Sequence, residues 1–409
     1  FGDLWCVVWG YGGMRTHFPL LNPTQTIVTI PAKPLRRATN SLFRKLTSTT
    51  VAALRVENGS LYLECRENKN YVSRWICAVD TQDAICMTCN ATEFRNFIES
   101  ATPTLSDPAA DTIFVNLSIS TGGMVFQAES SPSFAPCVTS GNPDSEPYFR
   151  VSAKAFKEAI SAIEVARGEL QGAQGRKHQM LESFYVYCEG NQVTLLATDR
   201  IRIAKRVLEV NSLCEQPDST HRRFTIDARL VENFARSIQP NGEVECRLVC
   251  GGDAVILSSE EAMARINAYD PEVELGVFFT ANATSVVLID TAQFKRAIKN
   301  AAPRVSRNGD VTFDMQDGRV RCLATTKSEP AELHDCGVSG HGSALFRVDL
   351  QYLLNGLRCI DCDRVALFLE KDASRRPIRF NPASSQDDGE LIPGASSSSY
   401  VLMPIRLPR

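Results

Sequence analysis

The sequence predicts an α+β fold: three tandem copies of one domain, each built of antiparallel sheet with two helices on one side. Three observations predict it. A short apolar strand running into a helix is written three times, at Thr29 to Ala38, Arg150 to Ala159 and Leu288 to Ala297. A second helix start recurs as well, because Asn90, Asp227 and Asp349 each read as a side-chain N-cap and each is followed six residues later by an Asn: Asn96, Asn233 and Asn355. Between these helices lie runs of alternating apolar and polar residues broken by turn dipeptides, the period of half-buried strands. Repetition at domain length means copies of a fold, since solenoid units run to only about 20 to 50 residues.

At 409 residues and 44% hydrophobic content the chain has room for a sizeable core in each third. Residues 1–25 form an amino-terminal extension whose apolar opening contains Asp3 and follows no basic segment. About 20 apolar residues are needed to span a bilayer, so neither a signal peptide nor a membrane anchor is expected. In the first copy, residues 26–145, two strands flank Asn58-Gly59, a type I′ turn dipeptide. The same slot holds Gly190-Asn191 in the second copy, 146–276, and Asp317-Gly318 in the third, 277–409. Val311, Phe313 and Met315 alternate with Thr312 and Asp314, as Val193 and Leu195 do about Thr194, which buries one face of each sheet. The closing hairpins turn at Gly122-Gly123, Gly251-Gly252-Asp253 and residues 371–374. Boundaries fall in the polar stretch 130–146 and around 276–284, and two insertions, 167–175 and 381–398, read as mobile.

With 44 basic and 47 acidic residues the net charge is −3, so any polyanion site must be local. One slot is basic in every copy. Arg36, Lys157 and Lys295 directly follow the apolar anchors Leu35, Phe156 and Phe294, and Lys33, Arg37, Lys154, Arg296 and Lys299 lie close by. A single charge run is usually a solvated helix face, but recurrence in one slot suggests a stripe that meets phosphates without reading bases. No aromatic residues interleave with it, which disfavours stacking on single strands. The phosphate-loop, zinc-protease and nucleophile-elbow motifs are all missing and the chain has only five His, so no catalysis is expected. A turn accounts for Asp199 and a helix cap for Asp349.

Fourteen Cys without a secretory signal indicate a reducing, cytoplasmic setting with free thiols. Cys86/Cys89 and Cys359/Cys362 raise zinc or thiol-redox chemistry as a competing reading, although free Cys usually behaves as a small buried hydrophobe. No cofactor is expected.

The threefold repeat, the segment Leu195-Leu196-Ala197-Thr198-Asp199-Arg200-Ile201-Arg202-Ile203-Ala204 and the ending Tyr400-Val401-Leu402-Met403-Pro404-Ile405-Arg406-Leu407 together resemble the bacterial replicative sliding clamp family, the beta subunits of DNA polymerase III. The family's usual motifs are Ala-Thr-Asp-Gly-His-Arg-Leu-Ala and Tyr-Val-x-Met-Pro-Met-Arg-Leu. Here Arg200 and Ile201 replace the Gly-His pair, Ile405 replaces a Met, and Arg347 and Leu350 stand where the family tends to have Asn and Tyr. The resemblance implies a head-to-tail homodimeric ring around duplex DNA, with helices lining the hole and sheets forming the rim. It adds Arg176, Lys177 and His178 as further candidates for DNA contact. It also implies a processivity factor that binds peptides of the polymerase catalytic subunit, the clamp-loader ATPase and repair proteins in an apolar cleft. Matched by position, that cleft comprises Leu181, Thr198, Ile201, Arg202, Ile203, Pro271, Ile298, Met403, Pro404, Ile405, Arg406 and Leu407. A Met-Pro floor with a few Arg donors suits a short motif with Leu and Phe anchors. A clamp-like scaffold that binds peptides but no longer loads on DNA is the remaining alternative.

Overall fold

The computed structural model describes residues 26–44, 46–47, 49–79, 85–102, 105–106, 114–120, 123–126, 135–136, 147–168, 179–212, 221–249, 253–271, 273–279, 283–305, 309–316, 319–323, 331–332, 339–341, 343–360, 362–370, 373, 375–383 and 397–405. Six α-helices stand among them: α1 (Ala32–Leu42), α2 (Ala91–Ala101), α3 (Ala153–Ile163), α4 (Ala228–Ser237), α5 (Thr291–Val305) and α6 (Leu350–Ile360).

The second helix of each third begins where a short polar side chain can satisfy amides that have no intrahelical acceptor. Asn90 Oδ1 accepts from the N–H groups of Thr92 at 2.9 Å and Glu93 at 3.1 Å. Asp227 Oδ1 accepts from Arg229 N at 2.8 Å, and Asp349 Oδ1 from Tyr352 N at 2.9 Å. The first helices start on Ser152 in α3 and Asp290 in α5, whose oxygens accept from Ala155 N and Gln293 N; Pro31, ahead of α1, offers no side-chain cap. Each of these helices buries an apolar stripe, such as Ala32, Leu35, Ala38 and Leu42 in α1. The anchors meet aromatic partners across the core, with Phe156 at 6.0 Å from Phe234 and Phe294 at 6.0 Å from Phe313 between ring centroids.

The strands are antiparallel throughout. In the first third Val51–Glu57 lies between Ser60–Glu67 and Ile85–Asn90, and in the second Ser183–Glu189 lies between Gln192–Thr198 and His221–Asp227. In the last third Asp310–Gln316 lies between Arg319–Leu323 and Ser343–Asp349. The strand that leads into each first helix pairs elsewhere: Thr26–Pro31 with Phe114–Ser120, Pro147–Ser152 with Glu243–Leu248, and Ser285–Asp290 with Arg364–Leu369. One wiring is thus traced three times. The turn at Asn58-Gly59 has both residues left-handed, at φ 50° and 70°, which lets right-twisted strands pair without splaying. At Gly190-Asn191 only the Gly is left-handed, and Asp317-Gly318 lies outside the described residues.

Successive units are joined edge to edge. Strand Asn70–Ala78 pairs with Ala262–Tyr269, and strand Arg202–Glu209 pairs with Ser398–Leu402. On the helix side α1 packs on α4 and α3 on α6, so the helices run in the spatial order α2, α1, α4, α3, α6, α5. The first seam is held by polar contacts. Trp75 N donates to Glu261 O at 2.9 Å, Asn267 N to Asn70 Oδ1 at 2.8 Å, and Arg229 pairs with Glu67 at 3.0 Å. Buried Asn233, read from sequence only as a recurring Asn, donates to Leu42 O at 3.1 Å and so satisfies the carboxyl end of α1 in the unit before it. The second seam has an additional apolar cluster on its outer face, formed by Tyr185, Leu196, Ile203, Leu275, Phe279 and Val401.

The expected mobile insertion at 167–175 is corrected at its start. Arg167 is buried and pairs with Glu232 at 2.7 Å, and Gly168 N donates to Leu181 O at 3.0 Å. Likewise residues 381–383 of the second insertion complete the strand Ile378–Ala383. No helix among the described residues is long and apolar enough to cross a membrane.

Gly356 permits the close approach of α6 to the fully buried Tyr400, since a Cβ there would lie 2.4 Å from the ring. Tyr400 cannot turn aside cheaply because its hydroxyl donates to Tyr352 O at 3.0 Å. Gly356→Ala is therefore expected to cost about 1–3 kcal/mol in overpacking, less about 1 kcal/mol regained in helix propensity. A lowered urea midpoint checks this.

Candidate nucleic-acid face and peptide trough

The repeated basic slot has a cause within the fold. Arg36 on α1 donates to Thr102 O, to Thr102 Oγ1 at 3.2 Å and to Glu99 O at 3.3 Å, all at the carboxyl end of α2. Lys157 on α3 does the same for α4, donating from Nζ to Ile238 O at 2.7 Å. Helix carboxyl ends carry orphan carbonyls and about half a negative charge, so a cation there is stabilising. Arg36 and Lys157 therefore each hold a partner within the fold that the sequence did not reveal, and both keep part of their surface in solvent. Lys295, in the same slot of α5, is half-buried.

What reaches solvent from the helix row is a smaller set. Among the described residues Arg37, Lys154, Arg296, Lys299 and Arg358 are exposed and Lys33 is half-exposed, interleaved with exposed Glu93, Glu99 and Glu158. Lys154 lies 4.0 Å from Glu158, an exposed pair of little energetic weight. Arg176, Lys177 and His178 lie outside the described residues. Arg74, a cation the sequence reading missed, rises from a strand into the helix layer and donates to Ser41 Oγ at 3.2 Å. Burial lowers its pKa, Glu261 opposes that shift, and neighbouring Arg37 adds to it. Lys157 is also held below its ordinary value, first by burial and then by Arg74. Arg74 and Lys157 thus share the influence of Glu261 beside the first seam, with Arg37 near Arg74. A signal was available: Arg74 falls in the same register as buried Val72 and Ile76, placing a charge on an inward strand face.

The second concentration of candidates lies at the other seam, where five residues form a tight turn. Asp199 Oδ1 accepts from Ile201 N at 3.0 Å and Arg202 N at 2.9 Å, and its Oδ2 pairs with Arg202 Nε at 2.7 Å. Thr198 Oγ1 donates to Arg202 O at 2.9 Å and accepts from Arg200 N at 3.0 Å. The turn forces Arg200 to φ 76°, a left-handed conformation that suits Gly. Its effect is to present Ile201, 44% exposed. Arg202 lies with its guanidinium 4.1 Å from the Tyr352 ring centroid, bridging the turn to α6.

The carboxyl-terminal run lies along this turn. Met403 N donates to Ile201 O and Ile405 N to Arg347 O, both at 2.7 Å, so one segment is pinned to both units. Met403 and Pro404 are half-buried and Ile405 is 38% exposed. Arg347 pairs with Asp310. Leu345, on the strand that Ile405 adjoins, is 45% exposed and was missed, although an apolar residue on the polar register of an alternating strand was readable. Leu181 and Pro271 are half-buried, and Arg406 and Leu407 lie outside the described residues.

Two expected lining residues are corrected. Ile298 is fully buried beside Phe294 in the main core, and Ile203 faces the outer cluster with Phe279 and Val401, on the strand face opposite Arg202. Thr198 is buried and serves the turn.

The geometry of the described residues does not support the competing zinc or thiol-redox reading. Cys86 and Cys89 lie three apart on one strand and so face opposite sides: Cys86 approaches Arg66 at 3.3 Å while Cys89 enters the core. Cys359 is in the core, and the Cys362 thiol donates to Arg364 O at 2.8 Å. Burial pushes the thiols of Cys89 and Cys359 up to about 12, which disfavours the reactive thiolate. No group of three or more His, Cys, Asp or Glu among the described residues is arranged to hold a metal ion.

No family model matches the chain. A beta sliding clamp of Streptomyces coelicolor is 24% identical over 274 residues, which cover 63% of this chain and 66% of that relative. The sliding clamp of Pseudomonas aeruginosa, DNA polymerase III subunit beta, solved with bound griselimycin, superposes with a TM-score of 0.71 at 17% identity, covering 94% of this chain and 100% of that one. The beta subunit of Thermotoga maritima gives 0.70 at 15% identity with the same coverage. The chain has the fold of these clamps.

Three outcomes follow from the geometry. Arg200→Gly relieves about 1–2 kcal/mol of left-handed strain against about 0.4–1 kcal/mol of added unfolded-state entropy, so urea denaturation should show a small net gain. If the exposed helix face is a duplex DNA surface, neutralising Arg37 and Lys154 together should weaken that binding and flatten its salt dependence by roughly 0.9 in log–log slope for each phosphate that goes unneutralised, with unchanged stability. Lys157→Met should lower stability first, by about 1 kcal/mol.

Proposed function

We propose that this chain is a DNA sliding clamp: a non-catalytic processivity factor that closes head to tail with a second copy around duplex DNA and tethers a polymerase. Its three units would span 26–145, 146–276 and 277–409. The observation that carries the reading is the doubled seam. Each junction joins the fourth strand of one unit to the last strand of the next and the first helix of one to the second helix of the next. The two ends of the row are then complementary. The short strand Ala135–Pro136 pairs with Met87 and Thr88 just as Ala268 and Tyr269 pair with Ile226 and Thr225, so it occupies the last-strand position of the first unit. Ala331–Glu332 follows Arg319–Leu323 as Arg202–Glu209 follows Gln192–Thr198, in the fourth-strand position of the third.

A heterologous interface of this kind repeats until rotation closes it, and two chains supply the second end for each first. Exposed helix faces would then line the opening. A mixed, modest set of cations there suits a duplex that must slide, because specific contacts worth several kcal/mol would hold it in place. The trough of Ile201, Leu345, Met403, Pro404 and Ile405 is open apolar surface with a polar rim and fits the polymerase's tethering peptide. The clamp-loader ATPase would engage the same trough, and a cytoplasmic location accords with the thiols.

Light scattering should give twice the 45.1 kDa chain mass. Protein loaded on nicked circular DNA should resist salt that strips ordinary phosphate contacts, and should dissociate once the circle is cut. A strict monomer that circles never retain would sink the reading.

A further inference from the structure

At one end of the helix row, α2 repeats the face that α4 turns to its neighbour. Counted from the caps Asn90 and Asp227, the two helices align Phe94 with Val231, Phe97 with Phe234 and Ile98 with Ala235, all buried. A second face is buried on α4 alone, at Leu230, Asn233 and Ser237, and its counterparts Glu93, Asn96 and Ser100 are exposed. The cover on α4 is α1 of the unit before, where Asn233 donates to Leu42 O at 3.1 Å and the Ser237 and Ser41 hydroxyls lie 3.2 Å apart. Both seam side chains recur unchanged on α2. The other end of the row offers the matching first helix: aligned by the anchors Leu35 and Phe294, α5 sets exposed Asn300 where α1 has buried Ser41. Helix α5 continues to Val305, but Pro303 has no N–H to close onto Lys299 O, so one carbonyl there lacks its helical donor. The second seam is made differently, because Ala162 and Cys359 take the places of Ser41 and Ser237, and Asn355 accepts from Gln351 at 2.9 Å. The open ends therefore match the polar first seam.

We propose that the exposed face of α2 docks on the carboxyl end of α5 in a second copy of this chain, with Asn96 donating to a main-chain carbonyl there and Ser100 bonding to Asn300. Asn96 is thus a positioning residue of the junction between copies, as Asn233 is of the junction within one. The inference rests on the head-to-tail reading and deepens it by naming the side chains that make the contact.

Sedimentation velocity of the full chain over a dilution series tests it. One lost hydrogen bond weakens an association about three- to tenfold, and a ring of two copies has two such junctions, so Asn96→Ala should raise the dimer dissociation constant about 10- to 100-fold. Asn96→Asp should raise it further, since a carboxylate cannot donate and would face the negative end of a helix. At concentrations where the chains are monomeric, the urea midpoint should stay unchanged for both variants, whereas Asn233→Asp should lower it. Joining Ser100→Cys with Asn300→Cys should give a covalent dimer on mild oxidation that neither single variant gives. A dimer that Asn96→Asp leaves as tight as before, or one that the paired cysteines do not cross-link, would overturn this contact and leave the ring standing. An unaltered chain that is monomeric at every concentration would sink the ring and this contact together.

Discussion

An antiparallel sheet cannot end without leaving a row of unpaired N–H and C=O groups, and in this chain that constraint sets the architecture. Each unit presents an edge strand, and the next unit supplies its partner: Ala262–Tyr269 for the first edge and Ser398–Leu402 for the second. Strand pairing fixes spacing and direction, so once the sheets are continuous the helices on their inner side have little choice of neighbour. The row from α2 to α5 follows from it. Side chains then finish each junction in different ways. The first relies on Asn233, Arg229 and Asn267, the second on the apolar cluster around Ile203 and Phe279 and on Arg202 resting against Tyr352.

Charge in the molecule divides between keeping the fold and meeting a ligand. Arg36 and Lys157 neutralise helix ends, Arg167 is buried against Glu232, and Arg229 crosses a seam. The cations left toward solvent on the helix side are few and share the surface with glutamates. A surface of that kind attracts a polyanion weakly and over a broad area, whereas the second seam leaves Ile201, Leu345 and Ile405 as exposed apolar surface.

Much of the fold was legible in the sequence because its signals are local. The caps at Asn90, Asp227 and Asp349, the Asn58-Gly59 hairpin and the strand alternation each depend on residues within one turn or one strand. The turn at Asp199 was readable for the same reason. What the sequence hid is non-local. That Arg36 reaches Thr102 and Lys157 reaches Ile238 depends on two helices crossing, so the capping role of these two cations could not be read from the sequence. Ile203 and Ile298 were misplaced because an apolar residue near a site reads alike whether it lines the surface or supports it from beneath. Leu345 and Arg74 broke the alternation of their own strands and could have been found on that ground alone.

The junctions between units are written largely in main-chain hydrogen bonds, which are the same whatever side chain each residue carries. Selection acting on such a junction constrains where the chain passes far more than which amino acids it uses. Surfaces of this design can therefore differ almost wholesale while the outline is kept, as the pairing of 17% identity with a TM-score of 0.71 illustrates.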